Sequence, residues 1–122
     1  MEKSSSFKEL LVWQMAHQLT IKVYKITEHF PKHELYGLTS QFRRAAVSIA
    51  ANIAEGYGKA TPKEKIQFFT HSLGSLQECR YYSILSKDLG YTINNELETD
   101  IETISKLLYA YSKKINQKLR SF

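Results

Sequence analysis

Residues 37–59 constrain the fold more than any other part of the sequence, because their apolar side chains recur at the spacing of an α-helix. One face is apolar and comprises Phe42, Ala46, Ile49 and Ile53. Thr39 or Ser40 is placed to cap the start of this helix, and Gly56 and Gly58 are placed to end it. The pattern predicts a helix over about 39–57 that buries its apolar face in a core.

Two other strips of the same helix differ in chemistry. The strip opposite the core is polar and comprises Arg44, Ser48, Asn52, Glu55 and Lys59. The remaining strip is small and comprises Val47, Ala50, Ala51 and Ala54, with Arg43 at its head. Small side chains let a second helix or subunit approach closely, but alanine is also the strongest helix former, so both interpretations stay open.

Three further segments repeat apolar residues at helical spacing, over about 7–30, 62–89 and 94–119. The segment nearest the N-terminus begins with a capping box that joins Ser6 to Glu9. The next begins with Thr61 as the cap and Pro62 in the first turn. The last collects acidic residues at its start and basic residues at its end, as the helix dipole favours. Four amphipathic helices with short links predict an all-α protein, an antiparallel up-down-up-down four-helix bundle.

The apolar stripes of the first and third predicted helices are also expected to face the core. The stripe of the first helix comprises Leu11, Met15, Leu19, Val23, Ile26 and Phe30. The stripe of the third helix comprises Ile66, Phe69, Leu73, Leu76 and Ile84. Gly74 lies within the third helix, where glycine costs about 1 kcal/mol relative to alanine, and either a close helix crossing or sequence drift would explain it.

Composition narrows the class of protein. A chain of 122 residues with 43% hydrophobic residues predicts a single domain over 1–122 with a substantial core. No apolar run reaches the about 18 residues of a membrane span, and residues 1–6 lead into no apolar signal segment. The lone Cys79 suits a reducing compartment. We therefore expect a cytoplasmic protein without a membrane segment, whose net charge of +5 permits an anionic partner.

The usual catalytic and metal-binding motifs are missing from the sequence. No glutamate is followed three residues later by histidine, as a di-iron bundle requires. The four histidines share no ligand spacing, and a single cysteine does not complete a zinc site with them. Gly56 and Gly58 lack the spacing of a phosphate-binding loop. We expect no catalytic residues, no metal and no cofactor.

The polar strips of the second and third helices are one candidate site, and their residues are Ser48, Asn52, Glu55, Ser75 and Glu78. If the two helices are antiparallel neighbours, these side chains meet across the contact. They then form either a ligand site or a hydrogen-bonded network that fixes the helix register, with Arg44 pairing Glu78 or Glu55. The network is the favoured interpretation, because buried polar groups usually have such partners.

The basic residues form a second candidate site. Arg43 and Arg44 are the best phosphate contacts, since the guanidinium is a planar fork that matches phosphate oxygens. Lys59 and Lys63 flank the next link and would extend a basic rim. Aromatic side chains that could stack on bases, or alternatively fill the rim of the core, are Tyr57, Tyr81, Tyr82 and Tyr91.

Three runs around the second helix resemble the signature of a known family, and they are residues 36–41, 43–49 and 52–58. Supporting pieces are Trp13-Gln14, Phe30-Pro31 and Gly74-Ser75. Together they resemble the four-helix-bundle proteins encoded in intervening sequences of bacterial 23S rRNA genes, also called the S23 ribosomal protein family. One departure is Ala50, which stands where the family usually has proline.

The resemblance implies a four-helix bundle that assembles as a ring-like homopentamer. The chain is similar, too, to the accessory variability protein of diversity-generating retroelements, a basic pentameric bundle that binds a reverse transcriptase and nucleic acid. We expect a non-enzymatic protein that binds structured RNA or other nucleic acid through a repeated basic surface. The alternative is a protein-interaction or scaffolding module that docks a protein partner, for which binding would depend much less on salt.

Overall fold

The computed structural model describes residues 6–92 and 96–120, and helices dominate it. The four α-helices are α1 (Leu11–Thr27), α2 (Leu38–Tyr57), α3 (Pro62–Asp88) and α4 (Glu96–Arg120). Two short 3₁₀ turns precede α1 and α2, at Phe7–Glu9 and Lys32–Glu34. These described ranges contain no β-strand, and the predicted all-α fold with four helices is confirmed.

Each helix packs against its neighbours in sequence, and α1 closes the bundle against α4. The links are short, so consecutive helices run antiparallel, which is the up-down-up-down arrangement. The contact between α2 and α3 is the most extensive. Helix α2 therefore lies between α1 and α3, and only its remaining side faces outward.

The core is built from one side of each helix. Phe42, Ala46, Ile49 and Ile53 of α2 are at most 1% exposed, as their helical spacing predicts. The other helices contribute fully or almost fully buried apolar side chains, and these are Val12, Ala16, Leu19, Val23, Phe69, Leu76, Leu97, Ile101, Ile104 and Leu108.

The first helix is shorter than predicted. Ser6 Oγ accepts a hydrogen bond from the Lys8 backbone N–H at 3.1 Å, so it caps only the 3₁₀ turn. Leu10 is then extended, and α1 begins after it. Leu11, expected on the core stripe, is 54% exposed, whereas Val12 is fully buried. The break at Leu10 separates the capping box from the helix, which begins with Val12 facing the core.

The start of α2 is capped by a residue outside the helix. The Leu38 backbone N–H donates to Glu34 Oε1 at 3.1 Å, while Thr39, one of the two expected caps, is 3% exposed inside the helix. A Cβ at Gly37 would lie 2.9 Å from the same Glu34 oxygen. The absence of a side chain at residue 37 thus makes room for this carboxylate at the positive end of the helix dipole.

Helix α3 starts and ends where the sequence predicts. Thr61 Oγ1 accepts from the Glu64 backbone N–H at 3.2 Å and donates to Glu64 Oε1 at 2.9 Å. After Asp88 the chain turns at Gly90, whose φ of +79° is a conformation that favours glycine. The predicted start of the last helix, at residues 94–95, lies outside the described residues.

The inner face of α3 is unusual, because its buried polar residues are all serines: Ser72, Ser75, Ser83 and Ser86. Ile84, expected on the core stripe, is 43% exposed. Gly74 has no heavy atom of the described residues within 4 Å of an added Cβ, so the close crossing expected there does not exist within the chain. The close approach is instead at Gly56, where a Cβ would lie 3.0 Å from Phe68 Cβ and from the Phe69 ring.

Candidate functional site

Three of the five predicted network residues meet between α2 and α3. Ser48 Oγ accepts hydrogen bonds from Ser75 Oγ and from Asn52 Nδ2, both at 2.9 Å. Asn52 Nδ2 also donates to the Ser48 backbone carbonyl at 2.8 Å. These polar groups bond one another, and this geometry favours a network that fixes the register of α2 and α3.

The two glutamates of the predicted set do not join this network. Glu55 is exposed and lies 3.7 Å from Lys59 Nζ, one helical turn away. Glu78 is exposed on α3. Within the part of the chain that the structure describes, Arg44 pairs with neither carboxylate. The polar strip therefore divides into a half-buried part that contacts α3 and an exposed part.

Hydroxyl groups from both neighbouring helices bind the backbone of α2. Ser72 Oγ donates to the Ile49 carbonyl at 2.9 Å, and Thr20 Oγ1 approaches the Ala46 carbonyl at 3.1 Å. Such bonds need the helices to lie close together, which the small side chains at Ala45 and Ala46 permit. Helix α2 is thus held from two sides and forms a rigid support for its outward-facing residues.

Arg43 is anchored to the last turn of α1. Its Nε–H donates to Thr27 Oγ1 at 2.8 Å, and its Nη2 donates to the Tyr24 carbonyl at 3.4 Å. The guanidinium carbon lies 4.7 Å from the centre of the Tyr24 ring, a cation–π contact. Arg43 therefore has a structural role that its sequence position does not reveal, since it satisfies carbonyl and hydroxyl groups at a helix C-terminus.

Arg44 lies beside Arg43 but is exposed, and it has no ion pair among residues 6–92 and 96–120. Both arginines line a shallow concave surface of about 390 Å³, which we call the arginine–tyrosine cleft. Its lining residues are Tyr24, Leu35, Tyr36, Thr39, Ser40, Arg43 and Arg44, and no acidic side chain is among these described residues. The two positive charges are therefore not neutralised within the cleft.

Three other concave surfaces of the bundle differ in this respect, because carboxylates lie beside their basic residues, whereas the groove lined by Lys113 holds a single cation and no carboxylate. The ion pairs are Lys22–Asp100 at 2.7 Å, Lys59–Glu55 at 3.7 Å and Arg80–Glu102 at 3.0 Å. Each pair lines a separate groove. Exposed charges attract an anionic ligand most strongly where no internal carboxylate competes, which favours the arginine–tyrosine cleft.

Lys59 and Lys63, the two lysines predicted to extend the basic rim, follow the C-terminal end of α2. This end lies about 20 Å from Arg43 and Arg44 along the helix axis, at a rise of about 1.5 Å per residue. Lys59 pairs with Glu55, and its Nζ lies 5.1 Å from the centre of the Phe68 ring. Lys63 is exposed in the first turn of α3. The structure therefore does not bring Lys59 and Lys63 together with Arg43 and Arg44 in one chain.

Two of the four tyrosines considered for base stacking are instead part of the rim of the core. The Tyr82 hydroxyl donates to Gln41 Oε1 at 3.1 Å, and its ring lies 5.8 Å from Phe42. Tyr91 packs on Phe30 at 5.4 Å.

Tyr36 was not singled out from the sequence, and its side chain is 94% exposed in the link before α2. The available signals were its position outside any apolar period, directly before Gly37, and its place in the run 36–41 that resembles the family signature.

Glu34 is a second residue whose role was not predicted from the sequence. Its Oε1 accepts from the Leu38 N–H at 3.1 Å, and its Oε2 accepts from the Tyr91 hydroxyl at 2.9 Å. These bonds favour the charged form, so the pKa of the Glu34 carboxyl lies below its usual value. The bond to Glu34 in turn raises the pKa of Tyr91. Glu34 thus ties the link before α2 to the link after α3.

The described residues contain neither a reactive cysteine nor a cluster of metal ligands. Cys79 is fully buried, and this burial raises the pKa of its thiol to about 12, which keeps it unreactive near neutral pH. No group of three or more His, Cys, Asp or Glu side chains in residues 6–92 and 96–120 is arranged to hold a metal ion. None of the helices described is long and apolar enough to cross a membrane.

Comparisons with known proteins agree with this architecture. Residues 8–110 match the family described as 23S rRNA-intervening sequence protein. A crystal structure from Bacteroides thetaiotaomicron VPI-5482, described as a protein with unknown function from the S23 ribosomal protein family, superposes with a TM-score of 0.74. The two sequences are 22% identical over 84% of this chain and 99% of that one, so this likeness concerns the fold. No curated protein matches the sequence.

Proposed function

The chain belongs to the family of 23S rRNA-intervening sequence proteins, and from this premise we propose that it is a non-enzymatic helical bundle that binds structured RNA. The observation that supports this proposal is the arginine–tyrosine cleft, in which Arg44 has no ion pair among the described residues and no carboxylate lines the surface. RNA offers a high density of phosphates, and arginine binds phosphate oxygens through parallel N–H groups.

The two arginines have different roles in this proposal. Arg43 commits N–H groups to Thr27 and Tyr24, which fixes the plane of its guanidinium without using all five donors. Arg44 is exposed and supplies the mobile phosphate contact. Lys59 and Lys63, at the far end of α2, would make additional and weaker contacts only with an RNA long enough to span the helix.

The proposal includes assembly of the chain as a ring-like homo-oligomer, a pentamer, in the cytoplasm. Apolar side chains exposed along and just after α3 support self-association, and they are Tyr81, Ile84 and Leu89. A ring would repeat the arginine–tyrosine cleft in every subunit, and the summed positive field would strengthen binding to a polyanion. The buried, protonated Cys79 thiol is compatible with a reducing compartment.

The test is RNA binding across a salt series, with Arg44→Ala compared with the parent protein and with Lys113→Ala. Both variants lose one exposed positive charge, but Lys113 lies on α4, away from the cleft. We expect Arg44→Ala to weaken binding and to reduce the slope of log K against log salt by about 0.7–0.9, as one lost phosphate contact predicts.

The control Lys113→Ala should leave the affinity and the slope nearly unchanged, and light scattering should show the same assembly for all three proteins. Equal effects of both variants would mean that only the net charge matters, which would remove the cleft as the site. No RNA binding by the intact assembly at low salt would contradict the proposal itself.

A second candidate function is docking of a protein partner, and the exposed apolar side chains of α3 favour it. Ile84, 43% exposed, is a suitable position to test because it lies far from Arg44 in sequence and on another helix. If α3 docks a partner protein, Ile84→Asp should abolish that complex and leave assembly intact, and the complex should resist added salt. If α3 mediates self-association, the same variant should lower the mass measured by light scattering.

A further inference from the structure

We infer that the arginine–tyrosine cleft seats an unpaired nucleotide, with its base stacked on Tyr36 and its phosphate bound by Arg44. This inference rests on the proposed RNA binding and narrows it to RNA that presents a loop, bulge or single-stranded nucleotide. The cleft is a shallow surface of about 390 Å³, so the inference rests on the residues that line it and not on enclosure of a ligand.

The exposure of Tyr36 is the first observation. Its side chain is 94% exposed, more than any other large hydrophobic residue among those described. It makes no hydrogen bond or ring contact with the rest of residues 6–92 and 96–120. A tyrosine ring that serves packing is buried on at least one face. The free ring of Tyr36 is instead available to stack on a base, a contact that every nucleobase can make.

The second observation is that the backbone around Tyr36 is held in place. The Gly37 N–H donates to the Glu34 carbonyl at 2.9 Å, and the Leu35 N–H donates to the Lys32 carbonyl at 3.1 Å. The Glu34 side chain bonds the Leu38 N–H and the Tyr91 hydroxyl. The backbone that carries Tyr36 is therefore a fixed turn, so binding of a base has to order only the side chain.

The third observation is the chemistry around the ring. Arg44 provides a charged fork and Ser40 a hydroxyl, and both line the cleft together with Tyr36. These groups suit the phosphate and the sugar of the same nucleotide. Arg43, fixed over Tyr24, provides a second cationic plane at the edge of the cleft.

Paired RNA would not use both the Tyr36 ring and the Arg44 guanidinium. In an A-form duplex both faces of each internal base are stacked on neighbours, and along the duplex the protein meets mainly phosphates and 2′-hydroxyl groups. A duplex would therefore bind Arg44 and leave Tyr36 without a role, whereas an unpaired nucleotide would use both. This difference makes the inference testable apart from RNA binding itself.

The experiment compares a hairpin RNA with an unpaired loop and a blunt duplex RNA with the same number of phosphates, both labelled for fluorescence anisotropy. The variants are Tyr36→Ala, Tyr36→Phe, Arg44→Ala and, as a matched control, Tyr109→Ala. Tyr109 is 65% exposed and lines the groove between α3 and α4. Light scattering and thermal unfolding confirm that each variant assembles and folds as the parent does.

We expect Tyr36→Ala to weaken binding of the hairpin by about 5- to 150-fold, the range for one stacked base, and to leave duplex binding unchanged. Tyr36→Phe keeps the ring and should bind both RNAs like the parent. Arg44→Ala should weaken both RNAs, and Tyr109→Ala should weaken neither.

Two results would overturn the inference and leave the proposed RNA binding intact. In one, Tyr36→Ala binds the hairpin like the parent while Arg44→Ala still weakens it. In the other, Tyr36→Ala weakens hairpin and duplex equally. If Arg44→Ala has no effect on either RNA, the cleft is not the RNA site and the inference fails. If the intact parent assembly binds neither RNA at low salt, the proposed function fails as well.

Discussion

The two parts of the polar side of α2 behave differently, although one helical stripe connects them. Ser48 Oγ accepts hydrogen bonds from Asn52 and from Ser75 of α3, so these groups bond one another within the bundle. Arg44, one turn before Ser48, faces outward with its charge uncompensated by any described residue. The difference arises from what lies opposite each residue, so a polar stripe can combine a structural contact with a binding surface.

The largest expected effect concerns the close contact between α2 and α3 at Gly56. Gly56→Ala should lower the free energy of unfolding by about 1–3 kcal/mol, because the new Cβ would meet Phe68 and the Phe69 ring at 3.0 Å. Gly74→Ala is the matched control in open space on α3, and it should raise the free energy of unfolding by about 0.5–1 kcal/mol. Urea unfolding at one protein concentration measures both, and equal stability of the two variants would contradict this account of the contact.

The next effect separates two adjacent arginines. Arg43→Ala should lower the free energy of unfolding by about 1–2 kcal/mol, because it removes charged hydrogen bonds to Thr27 and Tyr24. Arg44→Ala should change it by less than about 0.5 kcal/mol, as usual for an exposed residue. Thermal and urea unfolding of the two single variants provide the comparison. A similar loss in both would mean that Arg44 also has a structural role.

A smaller effect tests the network itself. Ser48→Ala removes the acceptor of the Ser75 hydroxyl and should lower the free energy of unfolding by about 1 kcal/mol. A double-mutant cycle with Ser75→Ala isolates the coupling between the two residues. We expect a favourable coupling and unchanged RNA affinity in all three variants. Weaker RNA binding in Ser48→Ala would show that the network is part of the binding site.

The smallest effect concerns pH and the half-buried carboxylate of Glu34. Because its folded-state pKa is below the usual value of 4.5, the charged form adds stability above that pH. The added stability is lost as the pH falls through the lowered folded-state pKa. Glu34→Gln should therefore be less stable than the parent at neutral pH, and the difference should shrink on acidification toward pH values below 4.5. A difference that stays constant with pH would show that the carboxylate charge does not matter.

Helix positions and the core of α2 were predictable because they depend on local information. Thr61 marks the start of α3 through a hydrogen bond with Glu64, and Pro62 marks it through its fixed backbone φ; the structure has the same start. The prediction was less accurate for α3 as a whole. Ile84 belongs to its apolar period but is exposed, because the buried face of α3 includes serines, of which Ser72 and Ser75 bond α2, instead of a wide apolar stripe.

The candidate site was predictable in part. Ser48, Asn52 and Ser75 were expected to meet, and they do, since antiparallel packing of neighbouring helices aligns them. The roles of Tyr36 and Glu34 were not predictable, because both lie in a link without a repeating pattern.

The sequence by itself determined that four helices form, which face of α2 is buried and how Thr61 caps α3. These features follow from helical periodicity and from hydrogen bonds between residues close in the chain. Only the tertiary structure decided that Arg43 is bonded to α1 while Arg44 is open, and that Glu34 reaches Tyr91. The reason is physical. Helical periodicity shows on which face of its own helix a residue lies, but its partners across the bundle depend on how segments distant in the chain pack together.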